Sequence, residues 1–160
     1  MSHKITWHNT TRVLVLNNDI VELQEMLDGL HREGFSVDGT IDTDAAAEML
    51  KAQRYHVLLL DLMLHATNGL ALARRLKAQY PDLVIVLMSD YMFSFSLLAK
   101  ADTGASGFVP KPFRASDIAS FLRTKMPKQP RKKTGEALAH SFARMTTSAP
   151  IYAAHVKYHT

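Results

Sequence analysis

Short apolar runs, most of them without internal polar alternation, limit what this chain can fold into. Arg12-Val13-Leu14-Val15-Leu16, Phe35 to Ile41, His56-Val57-Leu58-Leu59-Leu60, Leu83-Val84-Ile85-Val86-Leu87-Met88 and Ser106-Gly107-Phe108-Val109 read as strands. Between and after them lie helical stripes. Ile20, Leu23, Leu27 and Leu30 recur at helical spacing until Gly34 stops them. Asp42-Thr43-Asp44 offers N-caps to a helix carrying Ala46, Met49 and Leu50. Asn68 to Gln79 is a helix ended by Tyr80-Pro81, Phe93 to Lys100 is a fourth, and Ser116 caps a fifth with Ile118, Phe121, Leu122 and Met126. Strands apolar at successive positions must be covered on both faces, which implies a parallel sheet between helix layers. Five β–α units joined by right-handed crossovers predict an α/β fold: a doubly wound five-stranded parallel sheet flanked by helices.

The chain has 160 residues, 47% of them apolar, enough for one domain with a core. It has no cysteine, which excludes disulfide scaffolds, Cys-ligated zinc and thiol catalysis. No apolar run approaches the ~20 residues of a membrane span, and the start, Met1-Ser2-His3-Lys4, lacks the apolar stretch of a signal peptide. The expectation is a cytoplasmic protein without membrane insertion. Charge divides the chain: residues 1–126 carry a net −1, and residues 127–160 carry +5. Residues 1–126 form the expected domain, 127–133 a basic linker, and 134–160 a short tail. Leu138, Phe142 and Met145 fall at helical spacing in that tail. His155 and His159 are spaced i, i+4, but without a third ligand they make a poor metal site.

In a doubly wound sheet, ligands sit at the carboxyl ends of the strands. There the sequence places Asn17-Asn18-Asp19, Asp61, Ser89-Asp90 and Lys111-Pro112. A carboxylate, a hydroxyl and an ammonium converging on one edge suit phosphoryl transfer, with the carboxylate as nucleophile. A purely structural Asp61–Lys111 ion pair is the competing reading, and composition leaves both open.

Two ordered signatures go further. Val57-Leu58-Leu59-Leu60-Asp61-Leu62-Met63-Leu64 is followed by Asn68-Gly69, and Gly104-Ala105-Ser106-Gly107-Phe108-Val109-Pro110-Lys111-Pro112-Phe113 follows later. Over residues 12–126 the chain resembles the receiver domain of response regulators, which has the flavodoxin-like fold of the chemotaxis regulator. The resemblance implies that Asp61 is the phosphoacceptor, Ser89 the hydroxyl that bonds the phosphoryl group, and Lys111 the lysine that pairs with it. It implies that Phe108 is the aromatic switch that swings inward on activation, and that Lys111-Pro112 is a cis peptide.

The departures carry as much weight. Asn17 and Asn18 stand where receivers have an acidic pair that helps hold Mg²⁺. One carboxylate and two amides make a poor site for a hard cation, so Mg²⁺ binding is expected to be weak or absent and no other cofactor is implied. Strand alternation turns Asp19 away from serving as a substitute. His65 stands where receivers usually have proline and reads as an exposed loop residue. Pro110 fits the end of a strand but removes a donor.

These residues predict an atypical two-component receiver: not an enzyme, but a protein-interaction module whose phosphorylation is weakened or lost. The alternative is a working receiver that takes a phosphoryl group on Asp61 from a histidine kinase. Direct nucleic-acid binding through the tail is a remote third, because 27 residues are too few for a winged helix. The expected docking face, for a partner or a homodimer, is the fourth helix, fifth strand and fifth helix. Before that strand, Phe93–Leu97–Ala101 and Met92–Phe95–Leu98 form two apolar stripes.

Overall fold

The computed structural model of the chain describes residues 11–90 and 102–125. The helix expected over Phe93–Lys100 and its two apolar stripes lie outside the described residues, as do Met126, the linker, the tail and the His155/His159 pair. Within them the chain runs β1 (Arg12–Leu16), α1 (Ile20–Arg32), β2 (Ser36–Thr40), α2 (Thr43–Ala52), β3 (Val57–Asp61), α3 (Gly69–Gln79), β4 (Val84–Ser89), β5 (Gly107–Pro110) and a last helix, α4 (Ala115–Lys125). The strands form one parallel sheet in the order β2-β1-β3-β4-β5. That is the doubly wound flavodoxin-like fold. No helix among the described residues is long and apolar enough to cross a membrane.

Two apolar layers follow from the pleat. Leu14, Leu16, Leu58, Leu60, Ile85, Leu87 and Phe108 face one side and pack with Leu72, Ala73 and Leu76 of α3. Val13, Val15, Val57, Leu59, Val86, Met88 and Val109 face the other, against Leu23, Met26 and Leu30 of α1 and Ile118, Phe121 and Leu122 of α4. Successive residues of a strand point to opposite faces, so unbroken apolar runs fill both layers. The register pairs Leu60 with Leu87, and Asp61 with Met88, so Asp61 closes the central strand.

The helix ends show how local chemistry aims the chain. Asp19, Asp42 and Asn68 cap α1, α2 and α3, each accepting two backbone N–H groups of the first turn. Gly34, at φ +91°, ends α1: its N–H donates to His31 O, and that of Phe35 donates to Leu30 O. This is the Schellman arrangement, and it turns the chain into β2. At α4 the expectation needs correction. Ser116 lies inside the helix, one residue beyond its start. Asp117 does the capping, its carboxylate accepting the Arg114 N–H at 3.3 Å from three residues along. A third-position acid reaching back to the residue before the helix is half of a capping box; Ser116 is not the cap because the helix begins one residue before it. Helices over Thr43–Ala52 and Gly69–Gln79 otherwise match expectation, with Asn68 as cap rather than first residue.

Gly69 matters most for the site. A Cβ there would stand 2.8 Å from Leu62 Cα and 3.0 Å from Asp61 O, both backbone atoms. Only glycine lets α3 begin so close to the end of β3. The loop between folds on itself, with Met63 bridged to Asn68. Gly69→Ala is therefore expected to lower stability by about 1–3 kcal/mol, read as a shift in the denaturant midpoint. An unchanged midpoint would show that this close approach is not a constraint.

Candidate functional site

Asp61 and Ser89 end β3 and β4 and Lys111 follows β5, all at the carboxyl edge of the sheet; an ion pair joins Asp61 and Lys111, while Ser89 meets Lys111 through its backbone and does not line the cleft. Asp61 is only 2% exposed, and Ser89 and Asn17 are fully buried. Lys111 follows β5, held by its own N–H to Ser89 O at 2.9 Å, and its bond to Pro112 is cis. Its ammonium donates to Asp61 Oδ2 at 2.7 Å. The other oxygen, Asp61 Oδ1, accepts the Met63 N–H at 2.8 Å.

A second carboxylate completes the group, and the sequence reading missed it. Lys111 also donates to Glu22 Oε2 at 2.6 Å. Glu22 lies in the first turn of α1. The ammonium thus bridges two acids from distant parts of the chain. Burial pulls the Lys111 pKa down, but the hydrogen bonds to Asp61 and then Glu22 outweigh it, so the pKa is raised above the ordinary lysine value.

Asn17 explains why Glu22 is there. Asp19 and Glu22 have the spacing of a capping box, in which Glu22 would reach back to the Asp19 N–H. That N–H already donates to Asn17 Oδ1 at 2.9 Å. Glu22 is released, and the Asn17 amide then donates to its Oε2 at 2.6 Å. Because Asn17 Oδ1 is an acceptor in the first contact, its Nδ2 must be the donor in the second. Asn18 works similarly. Its Nδ2 donates to Met63 O at 2.6 Å and lies 3.4 Å from His65 Nε2. Asp19 spends its Oδ1 on the N–H groups of Val21 and Glu22, both at 2.9 Å. His65 is exposed, as expected of a loop residue.

Around these groups opens a cleft of about 510 Å³, lined by Asn18, Asp19, Glu22, Glu25, Asp61, Met63, Asp90 and Lys111, with Val21 at its side. Phe108 lies one layer below. It is buried in the cluster of Leu60, Leu87 and Ile85.

Comparison with known proteins bears on the family and the fold. A family model, the response regulator receiver domain, matches residues 13–123. Response regulator MprA of Mycobacterium bovis is 26% identical over 137 residues, covering 86% of this chain and 60% of the relative. The chain therefore spans about three-fifths of the length of this curated relative. A response regulator from Thermotoga maritima superposes with a TM-score of 0.64 at 21% identity, over 72% of this chain and 96% of that one. A CheY-like response regulator receiver domain protein from Methanospirillum hungatei does so at 0.67 and 18%, over 72% and 93%. At such identities the solved structures speak for the fold.

The bridging ammonium should be the weak point of the site. Lys111→Ala leaves two carboxylates without their counter-charge, one of them buried, and is expected to cost about 3 kcal/mol. Adding Asp61→Asn and Glu22→Gln to Lys111→Ala should recover part of that loss, because the stranded charges are gone. Chemical denaturation of the single and triple variants checks this. Equal midpoints for the parent and Lys111→Ala would show that the bridge contributes nothing to stability.

Proposed function

The chain belongs to the response regulator receiver domain family, and we propose that it works as an atypical member: a signalling module that docks to a partner or to itself, with phosphorylation weakened or lost. Receiver domains are signalling modules rather than classical enzymes. The observation that carries the reading is the state of the oxygens around Asp61. Both oxygens of Asp61, Glu22 Oε2 and Met63 O each accept a hydrogen bond from an N–H of the chain itself. Lys111 and the two asparagine amides supply three of these donors.

That donor set does not suit Mg²⁺. The ion demands near-octahedral oxygen ligands and gives up water reluctantly. Asn17 presents its amide hydrogens to Glu22, and Asn18 presents its own to Met63 O. A cation would have to break these contacts and displace an ammonium. Without it, a phosphoryl group on Asp61 would bring roughly two negative charges beside the Glu22 carboxylate. Like charges about 4 Å apart repel by on the order of 4 kcal/mol at an effective dielectric constant of about 20. Lys111, already shared, is a weak counterweight.

A module that does not need phosphate needs its docking face already set. The buried position of Phe108 supports that. The face we assign is β5, α4 and the segment before β5, open to a protein partner, a second copy or a histidine kinase. The intact Asp61–Ser89–Lys111 set supports a second reading, a receiver that still accepts a phosphoryl group on Asp61.

Labelling by a small phosphodonor with Mg²⁺, followed by intact mass, separates the two. The unaltered chain is expected to label slowly or not at all. Asn17→Asp with Asn18→Asp should raise the rate at least tenfold, about 1.4 kcal/mol of barrier. Rapid, Mg²⁺-dependent labelling of the unaltered chain at Asp61 contradicts the proposal and favours the second reading.

A further inference from the structure

At the other end of the sheet from Asp61, a side chain takes over a backbone task. The Arg12 N–H, at the start of β1, donates to Nδ1 of the His56 imidazole at 2.9 Å. The Arg12 carbonyl accepts the His56 N–H at 2.9 Å, and the His56 carbonyl accepts the Val84 N–H at 3.0 Å. Residue 56 thus holds both backbone groups of Arg12 and joins the start of β1 to the start of β4. An imidazole nitrogen accepts only when it carries no proton, so this geometry selects the neutral ring with its proton on Nε2. A carbonyl in the same place would accept at every pH, and an imidazole does not.

The surroundings set which way a proton pushes. Among the described residues, the charged groups acting on the ring are Arg54, on the connection from α2, and Arg12 of β1, both cationic. Arg12 is fixed in place: its Nη2 donates to Gln53 Oε1 at 2.6 Å, and its guanidinium lies 5.8 Å from the centre of the Tyr55 ring. Asp38 of β2 offsets Arg12 from 3.8 Å and also accepts from Tyr55 at 2.8 Å and Gln53 at 3.1 Å. Burial pushes the Tyr55 pKa up to about 12, so that phenol stays neutral. Asp82, before β4, acts on Lys77. Burial of the imidazole first, then Arg54 and Arg12, hold the His56 pKa below the ordinary 6.5. The residue is half-buried rather than sealed, so protons reach it.

We propose that His56 is a proton-operated latch on the amino end of β1: the neutral ring closes Arg12 onto the start of β3, and the protonated ring releases it. Protonation sets an N–H against the Arg12 N–H and adds a third positive charge beside Arg12 and Arg54. The ring turns away, and the Arg12 N–H is left to water. Opening stays local, because Val13 to Leu16 remain paired with β2 on one side and β3 on the other. The sign follows from the lowered pKa. The latch contributes its full stability above about pH 6.5 and loses it as pH falls through the folded-state pKa. The five residues of β3 put about 17 Å between this latch and Asp61, so the latch stands independently of whether Asp61 accepts a phosphoryl group.

NMR of the full chain from about pH 8 to about pH 5 tests the latch. At the upper end, imidazole nitrogen shifts should show His56 neutral, with Nδ1 bare and the proton on Nε2. The Arg12 amide signal should then follow the His56 titration with a midpoint below 6.5, and its hydrogen-exchange protection factor should fall at least about tenfold, the change that one pKa unit represents. His31 and His65, both exposed, should titrate without moving it. In His56→Asn the amide oxygen stands near the place of Nδ1 and does not titrate, so Arg12 should stay protected at the acid end. In His56→Ala protection should be lost at every pH. Three results would overturn the proposal: a proton on Nδ1 at neutral pH, a His56 midpoint at or above 6.5, or an Arg12 protection factor that falls equally in His56→Asn. The first two are read on the unaltered chain and decide the matter even where a variant fails to fold.

Discussion

The site depends on one ammonium group. Lys111 reaches from the end of β5 to Asp61 on the central strand and to Glu22 on α1, at 2.7 and 2.6 Å. Its side chain is 7% exposed and that of Asp61 is 3% exposed, so neither charge has water to fall back on. A buried charge must be paired and hydrogen-bonded. Here the pairing ties three elements of the sheet edge together. The surrounding polar atoms are arranged around it: Asn17 steadies Glu22, and Met63 steadies Asp61.

The arrangement follows from ordinary helix capping carried one step further. An N-cap acid serves the orphan N–H groups of its helix, and an acid three residues on usually returns the favour. Asn17 takes that second task through its Oδ1, at the end of a buried strand. The freed Glu22 carboxylate turns to the sheet edge instead. The strand end itself carries an amide, and the second carboxylate beside Lys111 comes from the neighbouring helix. The same logic polarises the domain. First-turn acids at Glu22, Asp44 and Asp117 and last-turn bases at Arg32, Lys51, Lys77 and Lys125 complement the helix dipoles, and they leave the cleft end acidic.

Much of this was legible in the sequence. The Val57–Leu60 run ending in Asp61 announced a buried central strand with a carboxylate at its tip. The Lys111-Pro112 pair marked the end of β5. Burial on both faces followed from strands with no polar alternation. Glu22 was not read as part of the site because helical periodicity places it only on α1, and its direction depends on which atom takes the Asp19 N–H. That is a tertiary fact, although the Asp19–Glu22 spacing was a usable signal. Ser116 was misread for a related reason. A serine near a helix start is a good cap by propensity, but this helix starts at Ala115 and takes Ser116 into its first turn. The two amides could be seen as weak ligands from their chemistry, but not that their N–H groups would already be spent on Glu22 and Met63 O.

The central claim is that Lys111 is held by both acids and is not released to a metal–phosphoryl complex. Lysine side-chain NMR tests it on the unaltered protein. The account predicts a Lys111 ammonium signal protected from exchange, unmoved by Mg²⁺ with beryllofluoride, and lost or shifted in Glu22→Gln. A Lys111 signal that moves on adding Mg²⁺ and beryllofluoride, and is indifferent to Glu22→Gln, would contradict it.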